Sequence, residues 1–275
     1  MPRRIRTGRN LPVAIGVGLG MGVLVVLTLY TVKATFLVYM GAAVAVAGWE
    51  LNRALAVRHI RIALPPLAAG CAAMWTCAYW LGTREALAAL ALTVVAVLIW
   101  RLNGGVSGYL RDMTASIFAL MYLPLMAVFV VLMLASDDGP DRLIVFIAVT
   151  VCSDVGGYFA GILLGRHLLA PAISPKKTWE GLGGSVVVCV GVGALLMPAL
   201  LGGLFWEGMI VGAAAVAAAT LGDLVESMMK RDLGIKDMGR VLPGHGGILD
   251  RIDSLLVNAP VAWLLLAVFV PAGPR

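Results

Sequence analysis

Apolar positions run through this chain in long unbroken stretches, with polar residues gathered into short connections. Nine stretches stand out, at roughly 11–30, 34–51, 62–82, 86–100, 114–135, 143–165, 182–203, 208–226 and 252–270. A helix needs about 20 mostly apolar residues to cross a bilayer, so the pattern predicts about nine transmembrane helices, the fourth being short. Arg3, Arg4, Arg6 and Arg9 precede the first stretch, as they would in a secretory signal. The run from Leu11 to Tyr30 is longer than the usual signal core, and no A-x-A-like cleavage site follows it, so a retained helix is expected.

The polar connections give the orientation. With the N-terminus in the cytoplasm and nine alternating spans, 17 of the 21 Lys and Arg residues fall on the cytoplasmic side. Only Lys33, Arg84, Arg142 and Arg275 fall outside, and the outer segment from Ser136 to Asp141 is acidic. Cytoplasmic loops carry such an excess of cations, and one miscounted span would invert every later loop. The predicted fold class is therefore an all-α polytopic membrane protein with its N-terminus cytoplasmic and its C-terminus outside. It is read as one integral membrane domain over 1–275, with N-terminal helices in 1–142 and the chemistry in 143–275.

Composition agrees. The chain is 61% hydrophobic and 13% charged with a mean hydropathy of +0.96, against roughly 25% charged residues in ordinary soluble domains. The net charge of +6 belongs to the one-sided loops, so no nucleic-acid partner is expected. Cys71, Cys77, Cys152 and Cys189 form no C-x-x-C pair and lie in spans, which excludes a zinc module and a disulfide framework. Gly16, Gly18, Gly20 and Gly22 have no strand before them and read as helix packing, not as a dinucleotide fingerprint.

Candidate chemistry comes from charges in costly places. Asp154 falls midway along the sixth stretch, Asp223 and Glu226 close to the end of the eighth, and Asp253 at the start of the ninth. An ionisable group deep in a membrane helix costs roughly 2.5–3.5 kcal/mol on insertion scales, which makes it a functional-site hypothesis. Glu226 and Glu50 lie near helix ends, where snorkelling to the interface is an equally good reading. Asp154, Tyr158, Gly161 and Gly165 share one helical stripe, as do Asp223, Ser227 and Lys230, with Glu226 at its edge. Asp250 and Asp253 face one way at the entry to the ninth helix. Carboxylates from separate helices at one membrane surface suit a hard divalent cation, magnesium being usual when the substrate brings phosphates. The alternative is plain ion pairing with Lys230, Arg231 and Arg251.

Two loops add anion-binding character. In Ser174-Pro175-Lys176-Lys177-Thr178-Trp179-Glu180-Gly181, Ser174 reads as a helix N-cap and Pro175 as the first helical residue, with Lys176 and Lys177 beside an anion-friendly helix start. The segment from Lys236 through Arg240 to His245-Gly246-Gly247 combines cations with a glycine-rich bend whose N–H groups can turn toward phosphates.

These residues together resemble a known family. Ser227-Met228-Met229-Lys230-Arg231, continuing through Lys236-Asp237 to His245-Gly246-Gly247-Ile248-Leu249-Asp250-Arg251-Ile252-Asp253, is similar to the signature of phosphatidate cytidylyltransferases. Asp154, Tyr158 and Gly161, the Ser174–Gly181 octet and the segment from Gly222 to Ser227 resemble the family too. The resemblance covers about 150–258, and the N-terminal half matches only in hydropathy and span number. Ile162 departs from it, standing where many members carry a basic residue.

The resemblance implies transfer of the cytidylyl group of CTP to phosphatidate, giving CDP-diacylglycerol and pyrophosphate with Mg²⁺. It implies a homodimer of the bacterial inner membrane or of a eukaryotic organelle membrane, and the short chain points to the bacterial one, with the active site facing the cytoplasm. Carried over, Asp223, Asp250 and Asp253 would hold the metal centre, with K⁺ as a second ion in some members. Ser174, Lys176, Lys177, Ser227, Lys230, Arg231, Lys236, Arg240, His245, Gly246, Gly247 and Arg251 would contact phosphates. Other readings stay open: a secondary transporter, a CTP-dependent polyprenol or phytol kinase, a CDP-alcohol phosphotransferase, or a silent scaffold. A transporter predicts broken helices in two similar halves, whereas the polar residues here crowd into one. Asp138-Gly139 lacks the Ala-Arg that a CDP-alcohol phosphotransferase motif would add.

Overall fold

A computed structural model describes residues 11–239, 241 and 246–270. Nine helical rods follow one another among the described residues. They are α1 (Leu11–Thr31), α2 (Lys33–Ala56), α3 (Leu64–Trp80), α4 (Thr83–Leu102), α5 (Tyr109–Ala135), α6 (Gly139–Leu164), α7 (Trp179–Leu201), α8 (Phe205–Leu233) and α9 (Leu249–Phe269). Among the described residues seven of them, α2 and α4 to α9, are long and apolar enough to cross a membrane. The chain is an integral membrane protein. The fourth rod, expected to be short, runs 20 residues, because Thr83, Arg84 and Glu85 extend the apolar run as a polar first turn.

Exposure along the rods follows their solvent. Leu87, Leu92, Val95 and Ile99 of α4 and Val187 and Leu195 of α7 are exposed apolar side chains, the surface that lipid covers. The apolar stretch of α5 is instead 67% buried, which makes α5 the central rod. Pro124 interrupts it. A proline has no N–H to donate and crowds the preceding turn, and the helix answers with one π turn, Met121–Leu125. The Pro124 carbonyl accepts a hydrogen bond from the Trp75 indole at 3.2 Å.

Glycines bring the C-terminal rods together. A side chain at Gly156 would meet the Gly184 carbonyl, and one at Gly193 the backbone of Gly208, so α6, α7 and α8 approach backbone to backbone. Gly222 of α8 lies against the backbone of Asp253 and Ser254 of α9. That contact presses together the two helices that carry most of the acids.

One expectation fails here. Ser174–Thr178 is a strand, β2, paired antiparallel with β1 (Leu168–Ala170), so Ser174 and Pro175 do not start a helix. The hairpin closes through the Ile173 N–H on the Ala170 carbonyl at 3.1 Å and the Trp179 N–H on the His167 carbonyl at 3.0 Å. Pro175 is tolerated because a two-stranded ribbon leaves edge positions with no ladder bond to make. Helix α7 starts four residues later, where Thr178 is the N-cap and its hydroxyl accepts the Gly181 N–H at 3.1 Å.

Candidate active site

The rods alternate in direction, so α2, α4, α6 and α8 end where α3, α5, α7 and α9 begin. Two hydrogen bonds tie this end together. Arg58, after α2, donates to the Asp232 carbonyl at 2.7 Å, and Arg231 donates to the Ile173 carbonyl in the β-hairpin turn at 3.2 Å. Helix α8 stops at Gly234, whose φ of +72° suits glycine. The chain then loops back toward α9.

Asp250 organises that return. It stands in the first turn of α9, and its Oδ2 accepts the N–H groups of Met238 at 3.1 Å and Gly247 at 3.0 Å, so both limbs of the loop hang from one carboxylate. Its Oδ1 receives the Lys230 ammonium at 2.8 Å, and Lys230 also donates to Glu226 at 2.5 Å, one turn back on α8. The alternative of plain ion pairing is thus met at Lys230, whereas Arg231 and Arg251 form no ion pair among the described residues.

A second group lies alongside. Lys177 of β2 pairs with Asp223 of α8 at 2.7 Å, which joins the hairpin to the helix bundle. The Ser227 hydroxyl donates to the other oxygen of Asp223 at 3.2 Å, confirming the helical stripe. Asp253 is buried, and its Oδ1 accepts the N–H of Ser254. Asp154 on α6 is exposed, within the electrostatic neighbourhood of Lys177, Asp223 and Arg251. Asp154, Asp223, Glu226 and Asp253 thus concentrate negative charge between three helices.

Sequence reasoning left Glu50 and Glu226 open to snorkelling. Both are 1% exposed, so neither side chain snorkels out to solvent. Glu226 is held under Lys230, and its Oε1 has no partner among the described residues. Glu50 comes from α2, in the half of the chain that the motifs did not cover. Its Oε2 accepts the Leu249 N–H at 3.0 Å, at the start of α9, and its Oε1 has no hydrogen-bond partner among the described residues. Side chains at Gly239 or Gly247 would collide with this carboxylate, so those glycines are where the loop backbone closes over Glu50. Beside it opens a groove of about 480 Å³ lined by Trp49, Arg53, Ile235, Asp237 and Met238, with Arg53 stacked 4.9 Å from the Trp49 ring centroid.

Tyr122, in the π turn of α5, was also missed. It is buried, its hydroxyl has no partner among the described residues, and the charges of Asp253, Glu226 and Asp223 act on it. Pro124 in an apolar run was the only signal available. Of the remaining expected residues, Lys176, Lys236 and Arg251 are exposed and Ser174 is half-buried. Tyr158 is 63% exposed beside Phe159, off the acid group, although Gly161 on the same stripe packs against Thr178 and Gly181. Gly246 takes a left-handed φ of +84° at the end of the loop. Arg240 and His245 lie outside the described residues.

The donor set is all oxygen, which suits magnesium. Among the described residues, however, no three His, Cys, Asp or Glu side chains form a ready cage. Lys177 and Ser227 hold Asp223, and Lys230 and two N–H groups hold Asp250. This fits magnesium bound through one or two carboxylates together with substrate phosphates, and not an all-protein site.

An end of a membrane bundle with clustered carboxylates, paired lysines and a glycine-bounded loop is a place for phosphate chemistry. A family model described as the cytidylyltransferase family matches residues 12–269. The chain belongs to that family and is a nucleotidyltransferase. It is 42% identical over 279 residues, covering 95% of this chain and 89% of the other, to a phosphatidate cytidylyltransferase of Mycobacterium leprae. It is 38% identical to one of Mycobacterium bovis, covering 95% and 90%, and 43% identical over 145 residues to one of Synechocystis, covering 49% and 47%. The family match extends through the N-terminal half, where the motifs alone gave only hydropathy.

Proposed function

We propose that the protein transfers the cytidylyl group of CTP to phosphatidate, releasing pyrophosphate and forming CDP-diacylglycerol for phospholipid synthesis. The observation that carries this reading is the group of carboxylates from α6, α8 and α9 interleaved with Lys177 and Lys230 at one end of the bundle. Both substrates are polyanions, one held in the membrane leaflet and one arriving from water, and they would meet at such an end. The names of the relatives support the choice of substrates.

In the reaction an oxygen of the lipid phosphate attacks the α-phosphorus of CTP. The new P–O bond forms as the bond to the oxygen bridging toward the β-phosphorus breaks, and that electron pair leaves with pyrophosphate. The lipid phosphate is already ionised at neutral pH, so no strong base is required. Lys177, held at the entrance by Asp223, and Lys230, held by Asp250 and Glu226, neutralise the repulsion between the phosphates. Ser174, Lys176, Ser227, Arg231, Lys236, Arg240, Arg251 and the N–H groups of Gly246 and Gly247 complete the phosphate contacts, with His245 in a binding role. Magnesium, held by Asp223 and Asp253 with the substrate phosphates, would supply charge neutralisation on the triphosphate and leaving group. Asp250 joins that set only if its bonds to the loop open; as it stands, it orients Lys230. The enzyme is read as a homodimer of the bacterial plasma membrane with nine crossings, its N-terminus and active end cytoplasmic.

Labelled CTP tests the chemistry. Label on the α-phosphorus should move into a lipid while label on the γ-phosphorus appears in pyrophosphate. Movement of the γ-label into the lipid would mean a CTP-dependent kinase instead.

A further inference from the structure

On the other face of the corner between α2 and α3 lies a second cavity, of about 420 Å³, lined by His59, Ile60, Arg61, Arg101, Arg111 and Asp112. Its lining comes from the end of α2, the end of α4, the start of α5 and the connections beside them, apart from the acids of α6, α8 and α9. Asp112 is buried, and its two oxygens are committed. Oδ2 accepts from Arg101 at 2.6 Å, and Oδ1 accepts from Arg111 at 3.0 Å and from the Arg61 N–H at 3.3 Å. Two guanidinium groups meet this one carboxylate, and Arg61, which adds only its backbone N–H to Asp112, stands on the cavity wall as a third cation, so the lining carries positive charge in excess.

The guanidinium of Arg101 is also under-used. Its side chain is 12% exposed, yet its Nε is buried without an acceptor among the described residues. A buried donor left unmet is costly, the more so on a charged group. His59 adds a backbone oddity. Its φ is +57°, the left-handed region that a residue with a Cβ enters at a cost, and no other described non-glycine residue has a positive φ. That conformation turns the chain after α2 so that His59 and Arg61 both border the cavity.

We propose that this cavity is a second phosphate-binding site. Arginines lining one cavity, two of them meeting at a single carboxylate, suit a tetrahedral dianion. The cavity sits where helices leave the apolar layer, at headgroup depth, and basic pockets between membrane helices at that depth bind anionic lipid headgroups. The phosphate is that of an anionic lipid or of a free phosphate compound; both present the same oxygens to the arginines.

The test counts bound lipid by native mass spectrometry on full-length protein in detergent, with phosphatidate as the probe. Removing Arg101 would leave Asp112 buried without its closest partner, so the variant is Arg61→Gln with Arg111→Gln, which keeps the Arg101–Asp112 pair. Wild type should hold one more phosphatidate than this variant, the variant's affinity at that site falling at least about tenfold. Lys in place of both arginines should restore part of the loss. Inorganic phosphate at millimolar level should displace that extra lipid if the site serves free phosphate, and leave it in place if the site serves headgroups. Equal lipid counts in wild type and the double Gln variant, with both proteins folded by circular dichroism, would overturn the proposal.

Discussion

At the end of the bundle away from the site, charged groups act as struts with partners. Arg142 is 4% exposed, pairs with Asp138 at 2.6 Å, and donates to the carbonyls of Leu266 and Val270 at the end of α9. Lys33 donates to the carbonyls of Ser136 and Asp137, and Tyr30 donates to Asp141 at 2.6 Å. At the other end, Lys230 is shared between two acids, and buried oxygens of Glu226 and Glu50 have no partner among the described residues. Both ends bury charge. Of the two, only the second leaves buried carboxylate oxygens without a partner among the described residues, and such groups are what a polyanionic substrate and its cation can engage. The comparison separates charge that holds the fold from charge kept ready for chemistry.

Substitutions can break or sharpen that contrast. Asp250→Asn should have the largest effect, since it removes one of the two negative partners of Lys230 and alters the anchor of both loop limbs; pyrophosphate release should fall on the order of 10²–10³-fold. Lys177→Ala should come next, with a loss of about ten- to a hundredfold. Part of that loss should appear as a raised KM for CTP in initial-rate measurements. His245→Gln should slow the enzyme less than Asp250→Asn, because the lipid phosphate needs no strong base; the reverse ranking in the same assay would make His245 a proton acceptor. Arg142→Gln should leave kcat per folded molecule within about twofold while lowering stability by about 1–3 kcal/mol, read by thermal melting in detergent. A large kinetic defect there would erase the distinction between the two ends.

Much of this arrangement is legible from sequence, for physical reasons that differ by element. Asp223, Ser227 and Lys230 are placed by helical periodicity, and the Ser227–Asp223 bond follows from it. The membrane rods are legible because backbone groups in lipid must bond within their own helix, which leaves length and apolarity as sufficient signals. The hairpin was misread. Ser-Pro followed by polar residues suits both a capped helix and a strand edge, and the choice rests on Leu168 and Thr178 meeting across the turn. Glu50 was seen and left undecided, because an acid near a helix end is cheap if it reaches water. Only the packing of α2 against the start of α9, 199 positions away, shows that it does not. Tyr122 depends on a π turn that pattern reading has no means to anticipate.

The central claim is that the end bearing Asp223, Lys230 and Asp250 transfers a cytidylyl group to a lipid phosphate. Pyrophosphate release by purified protein given CTP, phosphatidate and Mg²⁺ tests it most directly. Controls would be ATP for CTP, diacylglycerol for phosphatidate, EDTA, and the Asp250→Asn variant. The account predicts release that requires all three additions and is nearly lost in the variant. No release from folded, lipid-supplied protein, or release undiminished by Asp250→Asn, would contradict it.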